Sequence, residues 1–110
     1  MSGATSRRKG AAWERQVAEL LRDAGWQAIT SRAATGGAQN GDDIVTDAPV
    51  SVECKNTASW DLSGWVDQAV TQADDCAAVV MVKRRQHAAE HGYAVMRIDQ
   101  YLQLLRKADM

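Results

Sequence analysis

The stretch Asp43-Ile44-Val45-Thr46-Asp47-Ala48-Pro49-Val50-Ser51-Val52-Glu53-Cys54-Lys55 holds two short runs rich in β-branched residues, Asp43 to Thr46 and Val50 to Lys55. They flank Asp47-Ala48-Pro49, a turn signal, so the pair is expected as a β-hairpin. Strand alternation sends Glu53 and Lys55 to one face of the second run and Val52 and Cys54 to the other. Alone, a glutamate and a lysine two residues apart on a strand read as an exposed ion pair. The preceding run changes this, because a hairpin lays Asp43 beside Glu53 and brings two carboxylates within reach of one cation. Two hard oxygen ligands with room for water and phosphate oxygens describe a site for Mg2+, with Mn2+ able to substitute. A lysine beside such an ion can hold an attacking water or neutralise charge developing on a phosphate.

Working outward, Trp13, Val17, Leu20, Leu21 and Ala24 recur at helical spacing, and Gly25 stops that helix. Gln27 to Arg32 reads as a strand, and residues 33–41 as a loop of small side chains. Asp61 is the expected N-cap of a helix whose apolar stripe is Leu62, Trp65, Val66, Ala69, Val70 and Ala73. Ala77 to Val82 is uninterruptedly apolar, as a buried central strand is. Tyr93 to Ile98 is a further strand, and Asp99 caps a last helix carrying Tyr101, Leu102, Leu104 and Leu105. The order α-β-β-β-α-β-β-α predicts one α/β domain over residues 1–110, a central mixed sheet flanked by helices, with a flexible basic N-terminus over residues 1–8.

Composition narrows the classes. Hydrophobic residues make up 45% and charged residues 25% of the 110, a globular balance that excludes a disordered tail or a fibrous repeat. No apolar run approaches the ~20 residues of a membrane helix, and the charged start has no apolar stretch behind it, so neither membrane nor secretion is expected. Cys54 and Cys76 are the two cysteines, too few for a disulfide framework and consistent with a reducing cytoplasm. Thirteen basic against fourteen acidic residues give a net charge of −1, which argues against a protein that merely coats nucleic acid. The basic residues nevertheless cluster, at Arg7-Arg8-Lys9 and Lys83-Arg84-Arg85, while Asp42-Asp43 and Asp74-Asp75 crowd carboxylates.

The order Asp43, then Glu53-Cys54-Lys55, with Glu14 on a preceding helix, resembles the PD-(D/E)XK nuclease superfamily. Asp42 stands where that motif has proline, and Asp43 directly precedes the apolar Ile44-Val45 as the motif's aspartate does. Arg32-Ala33-Ala34-Thr35-Gly36 is similar to the Arg-x-x-Ser-Gly segment of archaeal and phage-type Holliday junction resolvases, with Thr35 in place of the serine. The resemblance runs from Lys9 to about Leu105 and implies a restriction-endonuclease-like fold. It implies that Asp43, Glu53 and Glu14 hold the metal and that Lys55 assists the water or the phosphate. It implies a site role for Gln68, with Gln72 on the same helix face as the alternative. DNA contacts are expected from Arg7, Arg8, Lys9, Arg32, Thr35, Lys83, Arg84 and Arg85. The implied activity is metal-dependent hydrolysis of DNA, with a branched or Holliday-junction substrate and a phage origin, hence the host cytoplasm. A nickase or repair nuclease of the same fold, or a DNA-binding module without turnover, are the alternatives.

Other groupings carry less. His87-Ala88-Ala89-Glu90-His91 has the spacing of an inverted zinc-peptidase motif, but it sits in a short polar connection and lacks a third ligand. Trp13 and Trp65 lie on helical stripes and are expected in the core; Trp60 follows a loop, where it can stack on a base or be partly buried. Cys54 has the opposite strand parity to Lys55 and is expected to pack, not react. One chain carries one candidate site, and cutting both strands of a junction or duplex takes two, so a two-fold homodimer is expected. The last helix and the two tryptophans Trp60 and Trp65 are candidate contacts.

Overall fold

The computed structural model describes residues 3–35, 42–73 and 75–108, with side chains from Arg7 onward except that of Thr35. The Thr35 side chain, residues 36–41 of the expected loop, and Asp74 of the second acidic pair therefore lie outside the described residues. The first helix, α1, spans Gly3–Asp23. It starts well ahead of its apolar stripe because Arg7, Arg8, Lys9, Ala11 and Ala12 are all strong helix formers; residues 3–8 are helical where a flexible N-terminus was expected. Its end follows the glycine rule. Gly25 takes φ 105°, and the amides of Gly25 and Trp26 return to the carbonyls of Arg22 and Leu21, both at 3.0 Å, a Schellman closure.

The strand expected over Gln27 to Arg32 is shorter. β1 is Ala28–Thr30 and a short helix α2, Ser31–Thr35, follows at once. Thr30 causes the switch, since its Oγ1 accepts the Ala33 amide at 3.1 Å and so caps α2. β2 (Ile44–Thr46) pairs antiparallel with β1, Ala28 opposite Thr46 and Thr30 opposite Ile44. The larger sheet runs β3 (Val50–Lys55), β4 (Ala77–Val82), β5 (Tyr93–Val95) in that spatial order. β3 and β4 are parallel with Glu53 opposite Val80, and β4 and β5 are antiparallel with Val82 opposite Tyr93. The parallel pair requires a crossover, supplied by α3 (Leu62–Gln72), which Asp61 caps by accepting the Gly64 amide at 3.1 Å.

The architecture is thus the expected α/β arrangement of mixed sheet and flanking helices, but the strands divide into three and two. β2 and β3 do not form a hairpin ladder. Pro49 has no amide to donate, the Val50 amide turns back to the Ala48 carbonyl at 2.8 Å, and the end of β2 is drawn to β1 instead. There the Asp47 carboxylate accepts the Gln27 amide at 2.9 Å and Thr46 Oγ1 donates to the Gln27 carbonyl at 2.6 Å.

β4 is the buried central strand, with Val80 and Val82 at 0% exposure. One face of the sheet packs on α1 through Trp13, Val17, Ala18, Val52 and Val79. The other packs on α3, where Ala78, Val80 and Val82 meet Ala69, Trp65, Val66 and Val70. Trp13 also donates its indole N–H to the Met81 carbonyl at 3.0 Å, tying helix to sheet.

The last strand ends at Val95, short of the expected Ile98, because α4 begins at Ile98 and runs to Ala108. The Arg97 carbonyl accepts the amides of Gln100 and Tyr101, so Arg97 occupies the cap position and Asp99 lies inside the first turn. Asp99 is not the cap; its carboxylate is paired with the Arg97 guanidinium at 2.7 Å and 2.8 Å. Two glutamines hold α4 in place: Gln100 Oε1 accepts the Ala78 amide at 2.9 Å, and Gln103 donates to the Asp75 carbonyl at 3.0 Å.

Candidate active site

The site grows from the outer edge of β3, the edge β4 does not occupy. Asp43 precedes β2 and reaches that edge with two hydrogen bonds. Its amide donates to the Val52 carbonyl at 3.0 Å, and its Oδ2 accepts the Cys54 amide at 2.8 Å. The bonds straddle Glu53, so the Asp43 carboxylate is fixed against that residue without a full ladder. The juxtaposition expected of a hairpin is present, produced by one residue instead of a paired strand. The turn before Asp43 is held from β1 and α2, where the Ser31 amide donates to the Asp43 carbonyl at 2.9 Å and the Ser31 hydroxyl bonds the Asp42 carbonyl. Asp42 in turn accepts from Ser51 Oγ on β3.

Glu53, Lys55 and Ser51 share the α3 face of β3, and Val52 and Cys54 pack on the α1 side. Burial and the neighbouring carboxylates push the Glu53 carboxyl up to about 8: loss of hydration is the largest cause, followed by a hydrogen bond and repulsion from Asp43, with Lys55 opposing and Asp42 adding. Asp43 and Asp42 both disfavour the charged form of Glu53, and Lys55 offsets this only in part. Lys55 lies with Nζ 5.8 Å from the centroid of the Trp65 ring on α3. Cys54, buried from water and facing Asp43, Glu14 and Glu53, has its thiol held up so that it stays protonated.

Glu14 is 7% exposed and does not join the carboxyl pair. Its Oε1 accepts Arg32 Nε at 3.0 Å, a pairing made possible because α2 turns Arg32 back toward α1 where a continued strand was expected. Arg32 is held charged by this bond and, less strongly, by the field of Asp43. Among the described residues no group of three or more His, Cys, Asp or Glu side chains is gathered as a metal cage. Asp43 and Glu53 would together fit a divalent cation, whose charge would relieve the repulsion between them and leave room for water and phosphate oxygens, the ligands Mg2+ prefers.

Of the two glutamines, Gln68 is exposed and its side chain makes no hydrogen bond among the described residues, while Gln72 is half-buried with its Oε1 enclosed and unpartnered. Neither bonds the carboxylates. Arg7 and Arg8 are exposed on the early turns of α1. Arg84 stacks over the Tyr93 ring at 5.2 Å and approaches His87 at 3.2 Å. Lys9, Lys83 and Arg85, from clusters more than seventy residues apart in the chain, line one cavity with Asn56 and Gln86. Trp60 is half-exposed and packs edge-on against Tyr93, centroids 5.7 Å apart. The residues that sequence reasoning missed are Ser31 and Ser51, which brace the Asp42-Asp43 turn. Strand parity alone places Ser51 beside Glu53; Ser31 carries no such signal.

A family model described as "Phage putative PDDEXK endonuclease" matches residues 5–109. No curated protein and no solved structure matches the chain.

Proposed function

The chain belongs to this phage PDDEXK endonuclease family, and we propose that it is a Mg2+-dependent nuclease that resolves Holliday junctions or related branched DNA. Mn2+ can substitute, and the protein acts as a homodimer in the cytoplasm of the infected host. The observation that carries the reading is the Asp43 carboxylate fixed on the β3 edge against Glu53, with Lys55 two residues further on the same face. A binding surface for phosphates has no use for paired carboxylates, which repel them; a hydrolytic site does. Asp43 and Glu53 would hold the metal, which when bound polarises the phosphate and makes water a nucleophile near neutral pH. Lys55 Nζ stands where it can orient the attacking water or offset charge on the phosphate oxygens. Arg32, kept charged by Glu14 and half-exposed, contacts a phosphate from the other side of Asp43.

The junction preference is supported by the likeness of Arg32-Ala33-Ala34-Thr35-Gly36 to the resolvase segment, and the homodimer by the apolar outer face of α4. The test is cleavage of end-labelled four-way junction, nicked duplex and single strand, each with and without Mg2+. Metal-dependent paired cuts in the junction are expected. No cleavage of any substrate with Mg2+ or Mn2+ overturns the nuclease reading, and cutting confined to one duplex strand replaces resolvase with nickase.

A further inference from the structure

The cavity beyond the end of β3 and β4 has a charge pattern of its own. Its lining consists of Lys9 from α1, Asn56 after β3, and Lys83, Arg85 and Gln86 after β4. No carboxylate is among them, in a chain whose net charge is −1. None of the three cations is in an ion pair among the described residues. The cavity is about 200 Å³, several times the ~30 Å³ share of one water. Its walls are held in place. The Asn56 side-chain amide donates to the Lys9 carbonyl at 3.5 Å, and the Lys83 amide donates to the Lys55 carbonyl at 3.0 Å. Lys83 Nζ rests 5.9 Å from the centroid of Trp13. Gln86 adopts φ 68° within a turn closed by the His87 amide on the Arg84 carbonyl, which presents Arg85 to the cavity.

We infer that this cavity is a phosphate-binding subsite, which holds a phosphate of the DNA strand close to, but distinct from, the one that is cut. The inference rests on the nuclease reading for its substrate. Three cations from two separate segments, in no ion pair among the described residues, suit a group carrying several acceptor oxygens, with the guanidinium of Arg85 offering a fork and the lysines point charges. Asn56 follows Lys55 directly, and three residues of strand from Glu53 are about 10 Å, roughly three nucleotide steps along a duplex axis. A phosphate seated here fixes the register of the strand relative to Asp43 and Glu53.

The experiment measures anisotropy of a labelled junction in EDTA, so that binding is read without turnover. Lys83→Ala with Arg85→Ala should weaken binding about tenfold at fixed salt and lower the slope of log Kd against log salt by about two. Arg106→Ala, a charge removed from the far end of α4, should leave the slope unchanged. Next, single methylphosphonates are placed in turn at each position around the wild-type cut. One position within about three nucleotides should weaken binding to the wild type and have no further effect on the double variant. Competition by inorganic phosphate beyond its ionic strength, lost in the double variant, supports the same pocket with a terminal or free phosphate as its source. Additive effects at every position together with no phosphate competition, or a slope change no greater than that of Arg106→Ala, overturn the inference. Phosphate competition lost in the double variant, seen in a protein that cleaves nothing, retains the subsite and discards the nuclease reading; cleavage without coupling or competition does the reverse.

Discussion

At the scale of single residues, the proposed roles around Asp43 give Asp43, Glu53 and Lys55 the chemistry and Cys54 only a place in the packing. Asp43→Asn, Glu53→Gln and Lys55→Ala are each expected to lower the rate by orders of magnitude while the fold persists. The check is single-turnover cleavage alongside circular dichroism. Cys54→Ala, one residue from both Glu53 and Lys55, should keep cleavage within a few-fold, because only its backbone amide serves the site. The raised Glu53 carboxyl has a pH consequence. In the unfolded chain it ionises around its ordinary 4.5, whereas in the fold it keeps its proton to about 8, so the folded state binds more protons between those values. Its contribution is full below about 4.5 and is lost as pH rises toward about 8. In EDTA the Tm should therefore fall across that window, Glu53→Gln should flatten the fall, and Mg2+ should raise Tm more at the alkaline end than at the acid end. Scanning fluorimetry at several pH values reads all three.

At the scale of elements, what was legible is what burial periodicity dictates. The stripe of α1, the Asp61 cap and crossover role of α3, and the apolar run of β4 all follow from spacing, because each buries one face or both. Glu53, Lys55 and the charge parity of β3 were legible for the same reason. The hairpin was not, because its turn signal is local while the choice of partner strand depends on Gln27, which bonds Thr46 and Asp47 from across the chain. Glu14 shows the same limit: its place on the helix is readable, but its partner depends on a short helix that Thr30 induces. The join of α1 to the sheet is testable. Trp13→Phe removes both the indole donor to the Met81 carbonyl and one of two fused rings from a buried core position, so the lost bond and the space left should together cost about 2–4 kcal/mol in urea melts.

At the scale of the whole molecule, α4 stands apart. It contains no buried residue, and Ile98, Tyr101, Leu102 and Leu105 remain 43–75% exposed at i, i+3, i+4 and i+7. The sequence shows these apolar positions, yet periodicity alone does not say whether a stripe meets its own core or a second chain; here Leu104 turns inward and the other four do not. A two-fold pairing through this stripe gives two sites of matched polarity, as paired cuts in a junction need. Sedimentation at micromolar concentration should show a dimer, and Leu102→Asp should give a monomer that nicks without resolving. A wild-type monomer that makes both cuts together would contradict the pairing.

The two bonds from Asp43 to β3 have an outcome unrelated to hydrolysis. An outer strand with open amides and carbonyls is a template for adding foreign strands, and proteins shield such margins. Asp43 covers part of this margin, its amide on the Val52 carbonyl and its carboxylate on the Cys54 amide, so its side chain is expected to affect solubility as well as cleavage. Asn keeps an oxygen for the Cys54 amide; Ala does not. Both variants should be inactive, but Asp43→Ala alone should gain turbidity and thioflavin binding on prolonged incubation, whereas equal behaviour of the two would show that the margin is closed by something else.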